Sequence, residues 1–185
     1  MAAIYCVPLD GFPQEILRQV VPELSSIYST PIRLLPEMQT AEKAYEPVRR
    51  QHSSTAILQL LKSMLPDGED RILGVTTADL FIPILTFVFG EAQLNGPAAV
   101  VSGQRLQNEF YGLKANAAVY HERLLKECVH ELGHTYGLRH CLSAGCVMQK
   151  STYVENIDLK TAEFCSACGG FLQEHHRSSN MLREV

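Results

Sequence analysis

The chain has 185 residues, 46% of them hydrophobic and 19% charged, with a formal net charge of −4 and a pI near 6.0. That composition supports a packed core of ordinary domain size and excludes global disorder, and the absence of any Lys/Arg run argues against binding nucleic acid by phosphate neutralisation. The apolar start at Met1 to Pro8 lacks a basic n-region and is broken by Asp10, so no secretory signal is read; no stretch approaches a membrane span, and the expectation is a cytoplasmic, monomeric protein.

In chain order, Ala3–Pro8 reads as a strand closed by Asp10-Gly11. Pro13–Tyr28 spaces Ile16, Leu17, Val20, Val21 and Leu24 as a helix. Ile32–Leu35 is a short strand. Ser54–Leu65 is a second helix, closed by Pro66-Asp67-Gly68. Arg71–Thr77, Thr86–Phe89 and Ala98–Ser102 are strands, the last two joined by a loop over 90–97 that is too short for a crossover helix. Strands alternating with helices, plus one antiparallel connection, predict an α/β (α+β) fold around a mixed sheet.

A long helix is expected from about Asn116 to Tyr136. Ala117, His121, Leu124, Leu125, Cys128 and Leu132 share one side, and Arg123, Glu127, His130, Glu131 and His134 the other. His130 and His134, at i and i+4, can reach one ion, while Glu131 is offset toward a metal-bound water as general base. A continuing helix would carry His140 about 9 Å beyond His134 at ~1.5 Å per residue. Gly137 lets the chain turn back instead, so that His140 completes a His₃ set with the fourth position left to water. The expected chemistry is hydrolysis, with zinc activating water and Glu131 moving its proton to the leaving amine.

Cys141 and Cys146 form a C-x₄-C pair and Cys165 and Cys168 a C-x₂-C pair, a spacing suited to a closed Cys₄ zinc site. Asp158 would cap a helix from Leu159 that presents Cys165 and Cys168 on one face. Two disulfides or a redox C-x-x-C compete, disfavoured by the missing signal and by the helical setting. Cys6 and Cys128 read as buried thiols, His121 as a core or boundary residue, and His52, His175 and His176 as surface residues. Arg123 and Glu127 form an i, i+4 pair, with Glu127 a candidate partner for a ligand imidazole. Met148, eight residues past His140, reads by position alone as a core methionine.

The run His130, Glu131, His134, Gly137, His140, followed by Cys141, Cys146, Met148, Cys165 and Cys168, resembles the archaemetzincin (archaelysin) family of metzincin zinc metallopeptidases. The resemblance implies a twisted mixed sheet, an active-site helix, and a small zinc-braced C-terminal subdomain over 138–185 behind an N-terminal one over 1–137. It implies two Zn²⁺ per chain: a catalytic ion on His130, His134 and His140, and a structural one on the four cysteines. It also implies Glu131 as base, Met148 in a Met-turn, and an antiparallel edge strand near Thr86–Phe89 that pairs with a peptide or protein substrate. The alternative is a catalytically weak zinc-binding regulatory protein that retains the site.

Overall fold

The computed structural model describes residues 3–65 and 70–181, with side chains left aside at 41–42 and 176–181. The expected Pro66-Asp67-Gly68 turn and the His176 side chain fall outside that set.

The elements in order are β1 (Ile4–Leu9), α1 (Gln14–Tyr28), β2 (Ile32–Leu34), α2 (Ala41–Ala44), β3 (Tyr45–Glu46), β4 (Gln51–Ser53) and α3 (Ser54–Ser63). There follow β5 (Arg71–Thr76), β6 (Leu80–Phe81), β7 (Gly90–Ala92), β8 (Ala98–Ser102), two 3₁₀ turns, α4 (Ala117–Thr135), α5 (Val154–Asp158) and α6 (Ser166–Met181). The main sheet runs β2-β1-β5-β8-β7, parallel except for β7, which lies antiparallel to β8 at the edge. The mixed sheet read from the sequence is therefore present. The small sheet β3-β4-β6 has no counterpart in the sequence reading; strands of two or three residues leave no periodic signal.

The period of two along the strands builds two apolar layers. Ile4, Cys6, Leu73, Val75, Ala99 and Val101 face α1 and α4. Val7, Leu9, Ile72, Ala98 and Val100 face Ile57, Leu58 and Leu61 of α3. A sheet covered on both faces needs apolar residues at successive positions, hence the unbroken runs of β1, β5 and β8. Helix α1 follows Pro13 and stops at Ser29, whose φ of 48° is left-handed.

Two expectations are corrected. Thr86–Phe89 is not a strand: only Val88 makes an isolated bridge, to Leu80, and the edge strand is the next segment, Gly90–Ala92. Side chains take the carbonyls where Thr86–Phe89 begins, Arg49 donating to Leu85 O at 2.7 Å and Gln51 to Thr86 O at 2.9 Å, while at its end Phe89 O accepts from Ser102 N–H at 2.8 Å. The loop expected over 90–97 accordingly shrinks. The second correction is that α5 ends at Asp158, which therefore does not cap a helix from Leu159; α6 starts at Ser166. Thr161 N–H donates to Gly145 O at 2.9 Å and Val147 N–H to Glu163 O at 2.9 Å, which bends the intervening chain back onto the cysteine loop.

Candidate metallopeptidase site

Helix α4 starts at Asn116, whose side chain accepts from Ala118 N–H and Val119 N–H at 3.1 and 3.2 Å. At the other end Gly137 takes φ 94°, Gly137 N–H donates to His134 O at 2.9 Å, and Leu138 N–H to Gly133 O at 3.1 Å. This pair of hydrogen bonds is the Schellman stop, and it reverses the chain so that His140 returns over the helix. One ring nitrogen each of His130, His134 and His140 lies within 4.8 Å of the other two.

The tautomers follow from the carbonyls. His130 Nδ1 lies 2.8 Å from Val147 O and His134 Nδ1 2.7 Å from Leu138 O. A carbonyl only accepts, so both Nδ1 atoms carry the proton and both Nε2 lone pairs are free. Those Nε2 atoms stand 3.1 Å apart. Two facing lone pairs at that distance repel unless a cation lies between them, so the donor set fits zinc. Burial holds the three imidazoles below their ordinary range; the Lys160 ammonium adds to this at His130, and the neighbouring His134 and then Lys150 at His140. Burial, and then the nearby Glu127, push the Glu131 carboxyl well above the usual range.

Glu131 is buried on the wall of a cleft of about 920 Å³ whose floor is α4. One side of the cleft is Leu85–Ala92 with Leu94, and the other is Arg139, His140 and Lys150–Tyr153. Glu131 packs directly against the β7 backbone: a Cβ at Gly90 would stand 2.6 Å from Glu131 Cγ and 2.7 Å from Val100 O. Only a residue without a side chain allows this approach. The rim above is fixed by Arg105, which donates to both Asp79 carboxylate oxygens at 2.6 and 2.7 Å and stacks 4.1 Å over Phe87.

Met148 is fully buried in the tight turn closed by Gln149 N–H to Cys146 O at 3.0 Å. A Cβ at Gly133 would lie 2.6 Å from its sulfur, so Met148 sits against the helix between His130 and His134.

The sulfurs of Cys141, Cys146, Cys165 and Cys168 also lie within 4.8 Å of one another, Cys141 to Cys165 being 3.8 Å. All six cysteines are free, so the pair of disulfides is not present. Four sulfurs at ~2.3 Å from a zinc ion stand about 3.8 Å apart, so this set too fits the metal. Backbone N–H groups point at the sulfurs, Ser143 to Cys141 at 3.3 Å and Cys165 to Cys146 at 3.4 Å. Hydrogen bonds to its sulfur, the first from the Cys168 backbone, push the Cys165 thiol down to about 6.

The polar face of α4 differs from the expectation. Arg123 and Glu127 do not pair with each other. Arg123 donates to both Asp158 carboxylate oxygens at 2.7 Å, to Leu106 O at 3.0 Å and to Asn108 Oδ1 at 2.9 Å. Glu127 faces Lys160 Nζ at 2.8 Å, an ion pair with both side chains buried. Lys160 also donates to Gln149 O at 3.3 Å, next to Met148. Neither Lys160 nor Gly90 was singled out from the sequence; each lies outside the motif and gains its role only from the fold. Cys6 and Cys128 are buried thiols, and His121 is a boundary residue 2.6 Å from Glu23, as expected. His52 and His175 are half-buried rather than on the surface, ringed by Tyr45 at 5.1 Å and Tyr136 at 5.4 Å.

A model of peptidase family M54 matches residues 9–174. The archaemetzincin of Methanocaldococcus jannaschii is 40% identical over 167 residues, covering 90% of each chain. The crystal structure of the archaemetzincin of Methanopyrus kandleri superposes with TM-score 0.83 at 35% identity, over 95% of this chain and 96% of that one. That of a zinc-dependent peptidase from Methanocorpusculum labreanum gives TM-score 0.83 at 31% identity, over 91% and 99%. No described helix is long and apolar enough to cross a membrane. With the family model covering nearly all of the chain and relatives of this identity along its length, the chain belongs to peptidase family M54, the archaemetzincins, and is a metallopeptidase.

Proposed function

We propose that the chain hydrolyses peptide bonds in the cleft over α4 by Glu131-assisted attack of water, with zinc held by His130, His134 and His140. The observation that carries this reading is the convergence of three imidazoles, one ring nitrogen of each within 4.8 Å of the others, beside the buried Glu131 side chain in one cleft. Zinc held there by the three histidines would lower the pKa of water toward ~7 and polarise the substrate carbonyl. Glu131 takes the proton of the attacking water and returns it to the leaving amine. Its seat against Gly90 fixes where that proton is held, and burial favours the protonated carboxyl that the second transfer needs. The exposed edge of β7 offers unpaired backbone groups to an extended peptide, which would align its scissile bond over the histidines.

A second, structural zinc on Cys141, Cys146, Cys165 and Cys168 braces the segment that begins at the third histidine, and Met148 acts as the Met-turn. In this metzincin-type arrangement the chain divides at Gly137 into a subdomain of 1–137 and one of 138–185, one on either side of the cleft. Four reduced cysteines suit a reducing, cytoplasmic compartment, and the working form is a monomer acting on peptides or proteins without nucleic acid or membrane.

Metal analysis should return two zinc ions per chain, with His134→Ala removing one and Cys165→Ser the other. New peptide N-termini should appear with the unaltered protein and vanish with Glu131→Ala. Identical profiles from the two proteins would favour the regulatory alternative.

A further inference from the structure

The charges around the cleft divide into those already engaged and those left free. Glu127 is matched by Lys160, and Glu91 accepts hydrogen bonds from the Ser54 and Thr55 hydroxyls. Glu131 is buried against the Gly90 backbone of β7. Arg139 and Lys150 also line the cleft, and both are exposed. Among the described residues neither makes an ion pair or a side-chain hydrogen bond. They flank His140, Arg139 as its chain neighbour and Lys150 near enough for its charge to act on the imidazole. The side of the cleft opposite β7 therefore carries two uncompensated positive charges in a chain whose net charge is −4. Within a Debye length of ~8 Å such a local pair, and not the net charge, decides what approaches.

From this placement, and resting on the peptidase reading above, we infer that Arg139 and Lys150 receive a carboxylate of the substrate, making the enzyme selective for peptides that carry one close to the scissile bond. The guanidinium offers a planar fork matched to a carboxylate, and the ammonium a second donor that closes over it. An extended peptide advances about 3.4 Å per residue, and Arg139 adjoins His140, over which the scissile amide bond would lie. The carboxylate thus lies within about two residues of the cut. It is either the C-terminal group of a short peptide or the side chain of an Asp or Glu. The opposing rim presents Leu85, Phe87 and Leu94, its Arg105 is already held by both Asp79 carboxylate oxygens and its Glu91 repels an anion, so the substrate is oriented with its acidic end toward Arg139 and its apolar side chains toward the rim.

The test uses the full-length zinc-loaded chain and a hexapeptide library in matched pairs. One arm compares C-terminal acids with amides, and the other Asp or Glu with Asn or Gln at internal positions of amidated peptides. Products are read by mass spectrometry. We expect about tenfold higher kcat/KM for the carboxylate member in one arm, which identifies the source. The ratio should fall to near one in Arg139→Gln/Lys150→Gln, and should shrink as salt rises from ~0.05 to ~0.5 M. Equal rates within pairs, or an unchanged ratio in the double variant, overturn the inference. Fluorescence anisotropy with the same labelled peptides and zinc-loaded Glu131→Gln reads the preference without turnover. If no peptide is cut but the acids still bind about tenfold tighter, the hydrolytic reading fails and the carboxylate site stands. If peptides are cut without preference, the reverse holds.

Discussion

Replacing Gly90 by alanine isolates the contact on which the proposed base depends. The new Cβ would lie 2.6 Å from Glu131 Cγ, 2.8 Å from its Oε1 and 2.7 Å from Val100 O. Carbon contacts settle at ~3.5–4.0 Å and carbon–oxygen contacts a few tenths of an ångström closer, so the overlaps are roughly 0.5–1 Å. Val100 belongs to β8, fully buried between β5 and β7, and its carbonyl cannot retreat. The Glu131 side chain is the softer partner and swings away. Overpacking of this kind costs about 1–3 kcal/mol of stability. A positioned general base contributes roughly 10²–10⁴ in rate, so its displacement should lower kcat at least ~100-fold. Both proposed zinc ions should remain, because the alanine touches none of the proposed ligands. The assay is steady-state peptide hydrolysis alongside metal content and thermal unfolding. Gly170→Ala is the matched control: its Cβ meets no heavy atom within 4 Å, and in α6 alanine should add about 0.5–1 kcal/mol while leaving kcat unchanged. A Gly90→Ala enzyme with full kcat, or one whose loss of activity tracks loss of zinc, would refute the positioning argument.

Lys160→Met should cost about 3–5 kcal/mol in urea denaturation, because it strands the Glu127 carboxylate in a buried site; adding Glu127→Gln should restore most of that, the signature of a lost counter-charge rather than lost packing. Cys165→Ser should lower zinc from two ions to one and make 141–168 the first segment cut in limited proteolysis, since three sulfurs no longer close the site. Arg123→Lys should destabilise by about 1–3 kcal/mol, read by thermal unfolding, because one ammonium cannot replace the paired bonds to Asp158 together with those to Leu106 and Asn108.

What could be read from the sequence was what is local. The helix from Asn116 to Tyr136 carries its own cap and its own stop, so its limits were predicted to within a residue. The histidine and cysteine sets are close in sequence, and their spacing constrains where the side chains can meet. The strands of the main sheet were visible because both faces are covered and their runs are apolar throughout. The edge strand was misplaced for the converse reason. Thr-Phe-Val-Phe has strand composition, but Arg49 and Gln51 capture its neighbouring carbonyls, while Gly-Glu-Ala, with little strand preference, pairs with β8 because β8 has a free edge there.

The polar face of α4 carries the larger lesson. Arg123 and Glu127 at i, i+4 are worth about 0.5 kcal/mol to each other on an isolated helix. Each has a better offer across space: Arg123 a two-pronged bond to Asp158, Glu127 a buried ammonium from Lys160. Both partners come from 158–160, immediately before the second cysteine pair. Taking them requires the chain after His140 to fold over the chemical face of α4, which buries the side of the helix that periodicity assigns to water. That burial is what keeps His130 and His134 uncharged and their Nε2 lone pairs available. The charged residues flanking the motif therefore belong to the construction of the proposed metal site: by tying α4 to 158–160 they create the dry surroundings in which three imidazoles could serve as ligands and a carboxyl group could hold a proton.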